Sequence, residues 1–163
     1  MKMTAKSIAR AAMIAAIYAA LTLLLQPFSF RAVQLRVSEA LTLLPILTLD
    51  AVPGLFVGCL LANFLAGAAW YDVVFGSLAT LIAAILTRKL RNHFVPASLM
   101  PVLLNGLIVG PVVYFAYNYA GTFSLPLLLM DMGSVAAGEL VACCALGTAL
   151  IYALKKTPQP LWA

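Results

Sequence analysis

Residues 7–25 read SIARAAMIAAIYAALTLLL, an apolar run carrying one charge, Arg10. As an α-helix rising ~1.5 Å per residue it would span close to the ~30 Å hydrocarbon core of a bilayer. Lys2 and Lys6 precede it, and no polar, cleavable stretch appears before Gln26, so an uncleaved membrane anchor is expected rather than a removable signal. Gln26-Pro27 ends the run, because proline cannot continue the hydrogen-bond ladder. The next apolar run, residues 37–49, has only 13 residues and falls short of a full crossing. A short helix, or a preceding loop (28–36) that dips into the membrane, is implied, and irregular backbone at that depth is tolerated only where protein buries it or it lines a cavity.

Outward from there the pattern repeats. Residues 54–69, 73–87 and 97–117 are apolar, the last with Pro111 as an expected bend. A final run reaches residue 154, with a helix expected from about residue 131. Asp50 to Pro53, Trp70-Tyr71-Asp72, the basic stretch 88–93 and the polar, aromatic stretch 118–126 separate them. Hydrophobic residues make up 64% of the chain and charged residues 9%, with a mean hydropathy of +1.06. A soluble domain carries roughly 25% charge, so this composition has its natural solvent in lipid. The expected architecture is all-α: one domain over residues 1–163, a bundle of six transmembrane helices with a short second helix.

The net charge of +5 is a topology signal and not a nucleic-acid footprint. With the N-terminus in the cytoplasm and sides alternating, Lys2, Lys6, Arg10, Arg88, Lys89, Arg91, Lys155 and Lys156 fall inside, and only Arg31 and Arg36 outside. An odd number of helices would strand Lys155-Lys156 on the wrong side. Both termini are therefore expected in the cytoplasm.

Polar residues within apolar runs are where chemistry can lie, because a charge in the bilayer centre costs ~2.5–3.5 kcal/mol on insertion scales and must face a cavity or a partner. Glu139 stands out, about 12 Å into a helix starting near residue 131; it is a ligand group, or else a structural glutamate that is protonated or paired with Arg31 or Arg36. Glu39 opens the short second helix, where it could serve a ligand, stabilise the helix N-terminus or pair with Arg36 at i, i+3. Asp72 could be an N-cap of the fourth helix. Asn63 and Asn105 are amides inside helices. Trp70, Tyr71 and Tyr114 could stack on a planar ligand or anchor at the interface. With Asp131, the outer half holds four acidic residues against Arg31 and Arg36, which favours a cationic or hydrogen-bond-donating ligand. Asp50 falls on the cytoplasmic side.

Small residues form stripes. Gly54, Gly58 and Ala62 recur every fourth position, as do Ala12, Ala16, Ala20 and their neighbours Ala11, Ala15, Ala19; each stripe lets another helix approach closely. Cys59, Cys143 and Cys144 read as small buried apolar residues without metal-ligand spacing. No phosphate-binding G-x-x-x-x-G-K-[ST] and no H-E-x-x-H occurs, His93 sits in the basic loop, and Gly76-Ser77 has no base nearby, so neither a metal, a cofactor nor catalysis is indicated.

Several strings together resemble one family. They are AMIAAIY (12–18), VQLRVSEAL (33–41), PGLFVGCLLAN (53–63), DVVFGSLATL (72–81), NGLIVGP (105–111) and GEL (138–140). The chain resembles the substrate-binding S components of energy-coupling-factor (ECF) transporters, and more specifically the queuosine-precursor transporter family, over nearly its whole length. The resemblance implies capture of a 7-deazaguanine, such as 7-aminomethyl-7-deazaguanine or queuine, outside a bacterial plasma membrane. It further implies docking through an A-x-x-x-A face, here Ala12 and Ala16, on a transmembrane coupling subunit powered by two cytoplasmic ATPases. Gln34, Arg36, Glu39, Asn63, Asp72, Asn105 and Glu139 would then form the ligand site, with Glu139 on the base edge, Glu39 or Asp72 on an amine, and Trp70 or Tyr71 over the ring. An S component for another vitamin, such as thiamine, and a non-transporting membrane scaffold are the other readings.

Overall fold

The computed structural model describes residues 4–25, 36–118 and 121–157. Among these the chain is helical, with no strand, and forms six helices: α1 (Ala5–Leu24), α2 (Val37–Ile46), α3 (Ala51–Leu65), α4 (Asp72–Gly76 continuing as Ser77–Lys89), α5 (Phe94–Tyr117) and α6 (Leu125–Lys155). α1, α5 and α6 are each long and apolar enough to cross a membrane. Large apolar side chains such as Ile17, Val57, Phe64, Leu103 and Leu129 point outward from the bundle, as a lipid solvent requires and water would penalise. The chain is a multi-pass membrane protein.

α2 is the axis of the bundle. It touches all five other helices, and every residue from Ser38 to Ile46 is buried. It is wound as a 3₁₀-helix, with Glu39 N–H bonded to Arg36 O at 3.0 Å. Ten residues at ~2.0 Å rise cover only ~20 Å of a ~30 Å core. One of its ends therefore lies well inside the bundle. At the other end the last carbonyls are satisfied by Arg88, which donates to Pro45 O at 3.0 Å and Ile46 O at 3.4 Å. Arg10 pairs with Asp50 at 3.4 Å, and Ser7 also bonds Asp50. The basic starts and ends of α1 and α4 thus share one end of the bundle with the C-terminus of α2. The N-terminus of α2 faces the opposite end, recessed within the protein.

α1 and α3 pack through the two small-residue stripes. A Cβ at Gly54 would lie 2.7 Å from Ala11 O, and one at Gly58 would lie 2.9 Å from Tyr18 Cβ and 3.0 Å from Ala15 Cα. Ala11, Ala15 and Ala19 fill this seam, whereas Ala12, Ala16 and Ala20 are exposed, so the adjacent alanine stripes divide between internal packing and a free face. Gly67, at φ +70°, closes α3, a left-handed conformation natural to glycine.

Two expectations need correction. The last helix starts at Leu125 and not near residue 131, because Pro126 sits in its first turn, where a missing N–H costs nothing. Glu139 therefore lies about 21 Å along it, deeper than expected. In α5, regular geometry gives way not at Pro111 alone but in wide i→i+5 turns on either side, Asn105–Val109 and Tyr114–Asn118.

Candidate functional site

Four polar side chains expected at a ligand site line one cavity. Arg36 and Glu39 come from the recessed N-terminus of α2, Asn105 from α5 and Glu139 from α6; Gly76, Thr80, Val109 and Val135 complete the wall. The cavity measures about 10 Å³, room for roughly one water. The partly positive N-terminus of α2 is a favourable place for the Glu39 carboxylate.

On one side, the Arg36 guanidinium donates to Asn63 Oδ1 at 3.2 Å and to Asp72 Oδ2 at 3.3 Å. Asn63 Nδ2 in turn donates to Asp72 O at 3.2 Å. Asn63 is thus a bracket joining α3, α4 and the start of α2. Asp72 does not cap α4: the helical turn is already under way at residue 70, its Oδ2 accepts from Arg36, and its Oδ1 has no hydrogen-bond partner among the described residues. A methyl at Gly76 would stand 2.8 Å from Asp72 Oδ1, so glycine keeps that oxygen clear.

On the other side, Asn105 Nδ2 donates to Glu139 Oε1 at 2.8 Å, and the Cys143 thiol donates to Glu139 Oε2 at 3.3 Å. Cys143 also reaches Glu39 O at 3.4 Å and Thr42 Oγ1 at 3.2 Å. Glu39 stands between the two sides. The Tyr18 hydroxyl donates to its Oε1, while Oε2 is buried without a partner among the described residues, as is Asp72 Oδ1. The expected pairings of Arg36 with Glu39, and of an arginine with Glu139, give way to these, because the rotation of α2 aims Arg36 at α3 and α4.

Counting charges, Arg36 faces Asp72, Glu39 and Glu139. Once Asp72 is matched, two carboxyl groups remain in a space too small to hydrate them, an arrangement that calls for a ligand rich in donors. Asp72, Asn105 and Glu139 each stand at the threshold of a wide turn, Asp72–Gly76, Asn105–Val109 and Leu140–Gly147 respectively. Such turns are uncommon and recur at functional sites.

Not every expected residue reaches the cavity. Trp70 and Tyr71 are 65% and 40% exposed and lean on each other with ring centroids 4.2 Å apart. Tyr71 lines a separate apolar groove of about 380 Å³ with Phe75, Ile108, Pro111, Val112 and Phe115. Each lies about 100° per residue away from the inward direction of Asp72. Gln34 lies outside the described residues.

A family model described as QueT transporter matches residues 8–156. The chain belongs to the QueT transporter family. It is also similar to a "Queuosine precursor transporter QueT" of Lactococcus lactis subsp. cremoris (strain MG1363), with 29% identity over 140 residues, 80% of this chain and 82% of the relative. No solved structure matches the chain. The matched region contains every residue of the cavity wall in this QueT family member. It also contains the partners that sequence reasoning missed: Tyr18, Thr42, Thr80 and Cys143. Tyr18 had a usable signal, since it continues the Ala11–Ala15 face of α1 and a buried phenol needs an acceptor.

Proposed function

We propose that this QueT family member is the substrate-binding S component of an ECF importer and that it captures a queuosine precursor, a 7-deazaguanine, in the cavity between Arg36, Glu39, Asn105 and Glu139. The observation that carries the reading is the convergence of two glutamates on one enclosed space, with Glu39 Oε2 buried and without a partner among the described residues. A deazaguanine offers what the cavity lacks. Its N1–H and exocyclic amine form a donor edge for Glu139, and a 7-aminomethyl cation would meet Glu39. Asp72 is less suited to the amine, since Arg36 already occupies it. Gln34, outside the described residues, stays in the proposed ligand set on the sequence resemblance alone.

Small-molecule pockets run to roughly 300 Å³ or more, far above the present cavity, so capture requires the walls to part. The wide turns beside Gly76, Asn105 and Glu139 are where the helices are least regular and where this movement would be absorbed. Delivery would follow docking of the exposed Ala12 and Ala16 face on a transmembrane coupling subunit driven by two cytoplasmic ATPases, with both termini of this chain in the cytoplasm of a bacterial cell. The family is one of transporters, and no reaction step is assigned to these residues.

Equilibrium binding to detergent-purified protein tests this. 7-Aminomethyl-7-deazaguanine should bind and thiamine should not compete. Loss of a charge-assisted hydrogen bond is worth ~1.5–3 kcal/mol, so Glu139→Gln should weaken binding roughly 10- to 150-fold. Unchanged affinity in Glu139→Gln would remove Glu139 from the base edge, and thiamine binding in place of the deazaguanine would favour a different vitamin.

A further inference from the structure

Tyr18 is not part of the cavity wall, yet it touches Glu39, one of the four polar residues that line it. It is fully buried, and its hydroxyl donates to Glu39 Oε1. The other oxygen of the same carboxylate is buried without a partner among the described residues, and Glu39 lines the cavity. Tyr18 has little freedom to move. Its Cβ faces Gly58, where even a methyl would come within 2.9 Å. Its carbonyl accepts from Thr22 Oγ1 at 2.9 Å, and Thr22 is tied to Ser38 Oγ at 2.7 Å, next to Glu39.

We propose that Tyr18 is a positioning residue for substrate selection: by holding Glu39 Oε1 it presents Oε2 alone to the cavity, as a single acceptor for a ligand's amino group. The inference rests on the deazaguanine reading above and adds which substituent at the 7-position is preferred and why. A carboxylate free to rotate would turn toward the cation lining the same cavity, Arg36, and withdraw from the ligand. Held by Tyr18, it meets an ammonium and repels an acceptor such as a nitrile. A second consequence concerns Glu39→Gln. The phenol would keep the amide oxygen, and the NH₂ would then point into the cavity as a donor.

The experiment compares 7-aminomethyl- with 7-cyano-7-deazaguanine binding to the purified full-length chain. The wild type should prefer the aminomethyl compound. Tyr18→Phe, which keeps the ring and removes only the donor, should lower that preference by about tenfold or more while leaving the cyano affinity within about threefold. Glu39→Gln should invert the preference in favour of the nitrile. Equal losses for both compounds in Tyr18→Phe would mean a packing role only and would overturn the proposal, as would an unchanged preference. Should Tyr18→Phe not yield folded protein, Glu39→Gln decides alone: absence of inversion overturns the assignment. If the wild type binds neither compound, the deazaguanine reading fails and this inference with it. Binding with no preference for the aminomethyl compound sinks the inference alone.

Discussion

Replacing Arg36 with glutamine should destabilise the bundle, and removing Asp72 as well should restore it. The Arg36–Asp72 pair is 3.3 Å apart, with side chains 9% and 2% exposed. At an effective dielectric constant of ~20, a pair at that separation attracts by about 5 kcal/mol, a gain set against the cost of removing both ions from water. Arg36→Gln leaves the opposing cost in place, because Asp72 stays buried with Oδ1 already without a partner among the described residues. Breaking one partner of such a pair typically costs ~3–5 kcal/mol. In Arg36→Gln/Asp72→Asn neither member of the pair is charged, and Asn63 can still bridge the two neutral amides, so stability should return to within ~1–2 kcal/mol of wild type. Unfolding by SDS titration in mixed micelles, followed by intrinsic fluorescence, measures both. A single mutant within ~1 kcal/mol of wild type, or a double mutant that is worse than the single, would refute the pairing and the charge count built on it.

The small-residue seams give further tests. Gly58→Ala should destabilise by up to ~2 kcal/mol in the same titration, because overpacking (~1–3 kcal/mol) outweighs the gain in helix propensity (~1 kcal/mol). Gly133→Ala, where nothing lies within 4 Å, should instead stabilise by ~0.5–1 kcal/mol. Ala16→Trp fills the exposed face of α1; under the proposed S-component role the solitary protein should still bind a deazaguanine, while co-purification with a coupling subunit and ATPases should be lost. Intact co-purification would remove that face from the docking surface.

Much of the fold was legible because lipid imposes a simple rule: apolar runs must be long, and charges must collect at their ends. The basic clusters near Arg10 and Arg88 fall at one end of the bundle as the alternation of spans requires, and the short run after residue 36 is a short buried helix. The same rule drew attention to the polar residues that converge in the candidate site, since Glu39, Asn63, Asp72, Asn105 and Glu139 are the ones that lipid would reject. What spacing could not give was who faces whom. The partner of Arg36 depends on the rotation of α2, so a local i, i+3 pairing with Glu39 looked as good as the long-range pairing with Asp72. Tyr18, Thr80 and Cys143 were silent because a hydroxyl or thiol on an apolar face reads as core until its acceptor is in view. Trp70 and Tyr71 misled for the opposite reason: aromatic rings near a carboxylate suggest a stacking platform, but one step along a helix turns a side chain by about 100°.

The central claim is that the buried space between Glu39 and Glu139 opens to hold one deazaguanine. Native mass spectrometry of the detergent-purified chain mixed with 7-aminomethyl-7-deazaguanine measures it directly. The wild type should gain the mass of one ligand per chain, and a Glu39→Gln/Glu139→Gln variant of equal thermal stability should gain none. Equal loading of both proteins would place the ligand elsewhere and contradict the account.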